Sequence, residues 1–204
     1  MKYSVGLKYE LFSNCFGSSY IVAGIGSCTD TEIVIPSRYE GKQVAWIGDH
    51  AFENCNSLKS IKIPSSVRSI KTCAFKNCTS LTNITIPSGV WGIGLGAFEN
   101  CISLKSITIP SGVTEIDSCA FEGCTSLTSI TIPSSVQSMG NSVFGGCSKL
   151  TSIVFEDTSA WYRTMSWKNW WDKIGGTSTS VICAPKNATD FTSIYKPYYW
   201  YKAN

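Results

Sequence analysis

Apolar residues recur along this chain with a period of 23 residues, and the pattern runs five times without an insertion. Three columns of the repeat each hold a single residue type. They are Phe52, Phe75, Phe98, Phe121 and Phe144; Cys55, Cys78, Cys101, Cys124 and Cys147; and Leu58, Leu81, Leu104, Leu127 and Leu150. A fixed period of this length is typical of a solenoid, in which each repeat forms one coil stacked on the previous one.

The full unit reads A-F-x-x-C-x-x-L-x-x-I-x-I-P-S-x-V-x-x-I. Its Ile-x-Ile segment alternates apolar and polar residues, which predicts a short strand. A proline follows four of these strands at once, and because proline donates no ladder hydrogen bond it ends the strand. These prolines are Pro64, Pro87, Pro110 and Pro133. One strand per coil predicts a parallel sheet with a strand spacing of about 4.8 Å.

The unit contains L-x-x-L-x-L, the core of a leucine-rich repeat, as in Leu58-x-x-Ile61-x-Ile63. Over about residues 30–156 it resembles the BspA-like (Treponema pallidum-type) leucine-rich repeat family. The predicted fold is therefore a right-handed α/β leucine-rich-repeat solenoid. It has a parallel β-sheet on one face, and mostly turns with short 3-10 segments on the other.

The repeat also predicts the organisation of the chain. Residues 1–32 are expected to form an N-terminal cap, and 33–156 the repeats, with an irregular first coil at 33–51. Residues 157–204 leave the period and hold five of the seven tryptophans, which predicts an aromatic C-terminal cap.

Composition excludes several kinds of function. The net charge of +3, with 15% charged residues, is too weak for nucleic-acid binding. There is no run of about 18 apolar residues, which predicts no membrane insertion. No signal peptide is visible, since Glu10 and Asn14 interrupt any apolar core near the N-terminus. An extracellular or cell-surface location follows from the resemblance, and a cytoplasmic location stays open as the alternative.

Ten cysteines raise the question of disulfides or metal. Side chains in one ladder column point the same way, so their Cβ atoms stay too far apart for easy bridging. Buried thiols acting as small apolar groups are the favoured interpretation. A bridge between Cys15 and Cys28 stays open. His50 is the single histidine, and no C-x-x-C occurs, so neither a zinc site nor another cofactor is predicted.

Catalysis has little support in the sequence. A nucleophilic triad would rest on His50 alone, and its column elsewhere holds small, turn-like residues, which favours a structural histidine. The run Gly92-Ile93-Gly94-Leu95-Gly96 lacks the Lys-Ser/Thr of a phosphate loop. We therefore predict no enzymatic activity.

The outward positions of the strands and one isolated tryptophan are the candidate partner-binding residues. They are Ser60, Lys62, Asn83, Thr85, Trp91, Ser106, Thr108, Ser129 and Thr131. This face is small and polar, so a ladder that only stabilises the sheet is the alternative. Trp91 either contacts a partner or packs on a neighbouring turn. The aromatic C-terminal segment offers a candidate sugar-binding cluster, with capping as the alternative. Its members are Trp161, Trp167, Trp170 and Trp171.

The resemblance implies adhesion. The predicted function is thus a non-enzymatic recognition and adhesion module that binds a protein, on a microbial cell surface. A carbohydrate-binding protein that uses the C-terminal Trp and Tyr residues is the first alternative, with a glycan as its partner. An intracellular protein-interaction scaffold is the second.

Overall fold

The computed structural model describes residues 2–15 and 17–157, together with the backbone of three later strands at 161–164, 181–182 and 199–202. These residues form strands and turns, with no helix among them. The strands are β1 (Lys8–Asn14), β2 (Gly17–Gly24), β3 (Glu32–Val34), β4 (Arg38–Tyr39), β5 (Lys42–Ile47), β6 (Ser60–Lys62), β7 (Ser69–Ile70), β8 (Asn83–Thr85), β9 (Gly92–Ile93), β10 (Glu115–Ile116), β11 (Ser129–Ile132), β12 (Ser138–Met139), β13 (Ser152–Phe155), β14 (Trp161–Thr164), β15 (Val181–Ile182) and β16 (Tyr199–Lys202).

The predicted parallel strands lie on one face of the solenoid. β3, β6 and β8 pair in parallel, with Ile33, Ile61 and Ile84 in one row. The next coil makes only a single parallel bridge, from Thr85 to Thr108, and β11 and β13 continue the same face. The inward Ile positions are buried, as the alternation predicts.

The second face differs from the prediction. It is a second parallel sheet, in which β5, β7, β9, β10 and β12 pair in sequence, and among the described residues it holds no 3-10 segment. Each of these strands ends the V-x-x-I part of a repeat, and the inward residue, such as Ile70 or Ile93, is buried. Two-residue strands are too short to show a strand period in sequence. They form here because equivalent residues of stacked coils lie within hydrogen-bonding reach.

The N-terminal residues extend this second sheet. β1 and β2 form an antiparallel hairpin, and β2 pairs in parallel with β5. The five residues after Pro36 form a tight hairpin from β4 into β5. Its two central residues, Glu40 and Gly41, both have positive φ, which suits the right-handed twist of the flanking strands.

The parallel ladder ends at β12. β16 pairs with it antiparallel, β14 pairs with β16, and β15 pairs with β14. An antiparallel strand at this place occupies the edge that another coil would otherwise use.

The core between the two sheets contains a column of stacked phenylalanines. Neighbouring rings from Phe52 to Phe144 have centroids 5.3 to 5.7 Å apart and planes within 8° of parallel. All five rings are fully buried. Because the coils are equivalent, the space between neighbouring rings has the same shape in each of them. The same residue, Phe, therefore fits at this position in all five coils.

The turns that lead from each strand of the second sheet to the next coil contain two columns of residues in the left-handed backbone conformation. One column is His50, Cys73, Gly96, Cys119 and Ser142, and the other is Asn54, Asn77, Asn100, Gly123 and Gly146. All ten have positive φ, which Asn and Gly adopt at the lowest cost. The Asn77 amide donates to Asn54 Oδ1 at 2.8 Å, and the Asn100 amide donates to Asn77 Oδ1 at 3.0 Å. The amide ladder thus stabilises adjacent coils as well as their turns.

The cysteine column is a hydrogen-bonded ladder. No disulfide joins the nine cysteines of the described residues, Cys15 and Cys28 included. The Cys78 thiol donates to the Phe52 carbonyl at 3.1 Å, and the equivalent bonds of the next three coils are 3.1 to 3.2 Å long. Each of these four thiols thus bonds to a carbonyl of the preceding coil.

These thiols should be inert in the folded protein. Burial raises the pKa of Cys78 and of Cys147 to about 12, and it raises those of Cys101 and Cys124 as well. The reactive thiolate is therefore scarce in the folded state at pH 8 to 10. We expect iodoacetamide to label exposed Cys15 at pH 8 and to leave these four unlabelled until denaturant is added. Peptide mass spectrometry measures this, and rapid native labelling of Cys101 would contradict it.

Candidate interaction surface

The outward residues of the first sheet form a flat polar surface, the Ser/Thr face, made of the predicted strand positions from Ser60 to Thr131. Ser60 is half-buried and the other strand residues are exposed. Next to them, the Thr82 hydroxyl donates to the Lys59 carbonyl at 3.4 Å, and the Thr151 hydroxyl donates to the Thr128 carbonyl at 3.3 Å. Hydroxyls at this edge of the face thus bond to the preceding coil, which is what a stabilising ladder does.

Trp91 is not part of the Ser/Thr face. It directly precedes β9 and therefore lies on the second sheet, with 51% of its surface exposed. The structure brings Ser60, Asn83 and Ser106 onto one surface and places Trp91 on another.

Trp91 lines a depression on the second sheet, which we call the Trp groove. It has a volume of about 240 Å³. Its axis is one column of the parallel register, in which Trp46 pairs with Ser69, Ser69 with Gly92, and Gly92 with Glu115. The groove therefore has an aromatic end at Trp46 and an acidic end at Glu115, three strand spacings apart.

Small residues form the floor of the Trp groove. Ser69 is buried, and Gly92 has no side chain to fill the space beside Trp91. A Cβ atom added at Gly92 would meet only Ser69 Oγ, at 4.0 Å, so the site has room for one. At Gly94 the reverse holds, since a Cβ would lie 2.7 Å from the carbonyl carbon of Lys71. Gly94 is thus required by packing, whereas Gly92 leaves the groove open.

The charged residues of the groove are mostly acidic. Asp49, Glu115 and Asp117 line it, against Lys71 alone. Asp49 Oδ1 accepts from the Thr72 amide at 3.0 Å, and Asp117 Oδ1 accepts from the Ser118 amide at 2.6 Å. Partial burial, followed by repulsion from Asp117, raises the pKa of the Glu115 carboxyl above its ordinary value. The repulsion between the Glu115 and Asp117 carboxylates makes this end of the groove favour a positively charged ligand.

Trp46 was missed in the sequence. It is half-buried, and its ring meets that of Phe12 edge-on, with centroids 5.0 Å apart. It lies in the irregular first coil, where the repeat is hardest to align. Counting back 23 residues from Ser69 would have placed it in the same column as Gly92 and Glu115.

The remaining predicted residues lie elsewhere. His50 Nδ1 is 2.6 Å from Glu53 Oε2, and its φ of 57° places it in a turn column. Of the candidate sugar-binding residues, Trp161 is described only as backbone in β14, and Trp167, Trp170 and Trp171 lie outside the described residues. Among the described residues, no group of three or more acidic, His or Cys residues could hold a metal ion. Nor does that part of the chain include a helix long and apolar enough to cross a membrane.

Two parallel sheets built from 23-residue coils define a leucine-rich-repeat solenoid. The chain belongs to the family described as BspA type leucine-rich repeat region, whose model matches residues 45–169 in six copies. Proteins with such repeats generally act as protein-interaction modules. A comparison with curated proteins gives no match.

Solved structures of bacterial leucine-rich repeat proteins are similar to this chain. The protein from Bacteroides ovatus is 34% identical with a TM-score of 0.65, over 73% of this chain and 39% of that one. The Treponema pallidum protein is 27% identical with a TM-score of 0.69, over 76% and 84%. A leucine-rich cell surface protein from Faecalibacterium prausnitzii is 36% identical with a TM-score of 0.63, over 83% and 41%. The chain thus spans about two fifths of the first and third of these.

Proposed function

We propose that the chain is a non-enzymatic recognition module that binds another protein through the Trp groove, on a microbial cell surface. The observation that carries the proposal is the exposure of Trp91 beside a groove that also contains Trp46 and charged side chains. Tryptophan is enriched among the residues that dominate protein–protein binding energy. Similarity to the F. prausnitzii cell surface protein supports the location.

The Ser/Thr face is the weaker candidate for the contact surface. Its outward residues are mostly Ser, Thr and Asn, which rarely anchor an interface. At its edge, Thr82 and Thr151 already bond to the preceding coil, so those hydroxyls have a structural role. We therefore assign sheet stabilisation to this face and partner contact to the Trp groove.

The test begins with the whole chain on an array that carries both matrix proteins and glycans. We expect protein hits. For the strongest hit, Trp91→Ala should weaken binding at least tenfold, since an anchor of this kind contributes about 2 kcal/mol or more. Surface plasmon resonance measures the dissociation constants, and Thr108→Ala on the Ser/Thr face is the matched control, expected to bind within twofold of the parent chain.

The opposite ranking would overturn the assignment. Loss of binding in Thr108→Ala with full binding in Trp91→Ala would move the contact to the Ser/Thr face. An array with glycan hits alone would favour the carbohydrate-binding alternative. Because both variants change solvent-facing residues, their melting temperatures should match that of the parent chain, and this check separates lost contact from lost fold.

A further inference from the structure

We infer that the Trp groove binds a basic side chain of the partner, Arg in preference to Lys, presented on an exposed segment of that protein. This inference rests on the proposed function and names the chemistry of the partner at that same groove. It follows from two features of the described residues: the charge of the groove, and the position of Trp91 beside its acidic end.

The charge of the groove is opposite to that of the chain. The chain carries a net +3, yet three of the four charged residues lining the groove are acidic. Glu115 and Asp117 flank buried Ile116 and both line the groove, and repulsion from Asp117 contributes to the raised pKa of the Glu115 carboxyl. Within the described part of the chain, neither has a Lys or Arg partner within ion-pair distance. A cation bound at this end would relieve their mutual repulsion.

The end of the groove beside Trp91 suits a long basic side chain. Trp91 directly precedes Gly92, and Gly92 pairs with Glu115, so Trp91 and Glu115 lie about one strand spacing apart, about 5 Å, which is within the reach of one Arg side chain. An Arg side chain has an apolar stem that can lie along an aromatic wall while its charged head reaches a carboxylate. Its guanidinium also stacks on tryptophan rings and bonds carboxylates through two parallel N–H groups. Trp91 and Glu115 offer both kinds of contact at one end of the groove.

A neutral sugar fits the groove less well. A sugar ring could stack on Trp91, and its hydroxyls could donate hydrogen bonds to the carboxylates. It would, however, leave the repulsion between Glu115 and Asp117 in place, because it brings no positive charge. Charge complementarity therefore favours the basic segment, and a sugar becomes one outcome of the test.

The test uses the full chain and small probes that differ in charge. We would titrate N-acetyl-arginine amide, its neutral analogue N-acetyl-citrulline amide, and cellotriose, following the indole N–H signals of Trp46 and Trp91 by NMR. The expected result is a shift of the Trp91 signal by the arginine probe, larger than that of the more distant Trp46, with at least fivefold weaker binding of the citrulline probe. Glu115→Gln should weaken binding of the arginine probe about fivefold, as expected for the loss of one charged contact.

A groove-filling variant provides a second readout. Gly92→Thr adds a side chain where a Cβ has room, so the fold should survive while the groove is blocked. We expect the shift that the arginine probe causes at Trp91 to disappear in Gly92→Thr and to persist in Thr108→Val, the control on the Ser/Thr face. Retention of the full shifts in a folded Gly92→Thr variant would overturn the inference.

The outcomes separate this inference from the proposed function. Equal shifts from citrulline, shifts from cellotriose alone, or no shift from any probe would overturn the arginine site, while protein hits that depend on Trp91 would leave the recognition role intact. Conversely, a blank protein array would overturn the proposed function even where the arginine probe binds.

Discussion

Phe98→Ala should lower the free energy of unfolding by about 3–5 kcal/mol, the usual cost of removing a large aromatic side chain from a core. Phe98 is fully buried and stacks between Phe75 at 5.3 Å and Phe121 at 5.4 Å. The cavity would lie in the middle of the column, where flanking rings are held by their own coils and cannot close it. Urea unfolding followed by circular dichroism measures the change.

Two controls accompany this variant. Phe98→Leu keeps most of the volume and should cost clearly less than the alanine change. Trp91→Ala removes an exposed ring from a neighbouring part of the same repeat and should change stability by no more than about 0.5 kcal/mol. A loss below 1 kcal/mol for Phe98→Ala would contradict the role given to the column. A loss of several kcal/mol for Trp91→Ala would mean that this side chain packs on its neighbours in the fold and is not free to contact a partner.

Gly140→Ala should lower the free energy of unfolding by about 1–3 kcal/mol, as overpacking of a tight site does. A Cβ at Gly140 would overlap the backbone nitrogen and Cα of Ser118 in the preceding coil. Backbone atoms cannot rotate away as a side chain can, so adjacent coils would have to separate there. The Gly140 amide, which donates to the Ile116 carbonyl at 2.8 Å, would be displaced with them.

Gly92→Ala is the matched control for this change, because it lies on the same sheet but has open space at its Cβ position. It should be neutral or raise stability by up to about 1 kcal/mol, since alanine restricts the unfolded chain more than glycine does. Melting curves of the two variants, recorded side by side, give the comparison. Equal destabilisation by both changes would show that the close approach at Ser118 does not set the spacing of the coils.

The sequence predicted the core and the first sheet well because both depend on local alternation repeated every 23 residues. Ile61 and Ile63 are buried in the strand column that the pattern predicts, and Phe52 begins a buried ring stack. These assignments do not depend on knowing which coils are in contact, because each coil stacks on a neighbour with the same residue pattern.

The second sheet and the Trp groove were not predicted, for a different reason. Strands such as Gly92–Ile93 are two residues long and exist only through hydrogen bonds to neighbouring coils. The groove depends on a column that mixes residue types, from Trp46 through Ser69 and Gly92 to Glu115. A consensus repeat hides such a column, because the site is built from departures from the repeat and not from the repeat itself.

The measurement that tests the central claim most directly is the dissociation constant of a protein partner for the parent chain, for Trp91→Ala and for Thr108→Ala. Recognition through the Trp groove predicts at least a tenfold weakening for Trp91→Ala and less than a twofold change for Thr108→Ala. Unchanged binding by a folded Trp91→Ala variant, together with a loss in Thr108→Ala, would contradict the claim and return the contact to the Ser/Thr face.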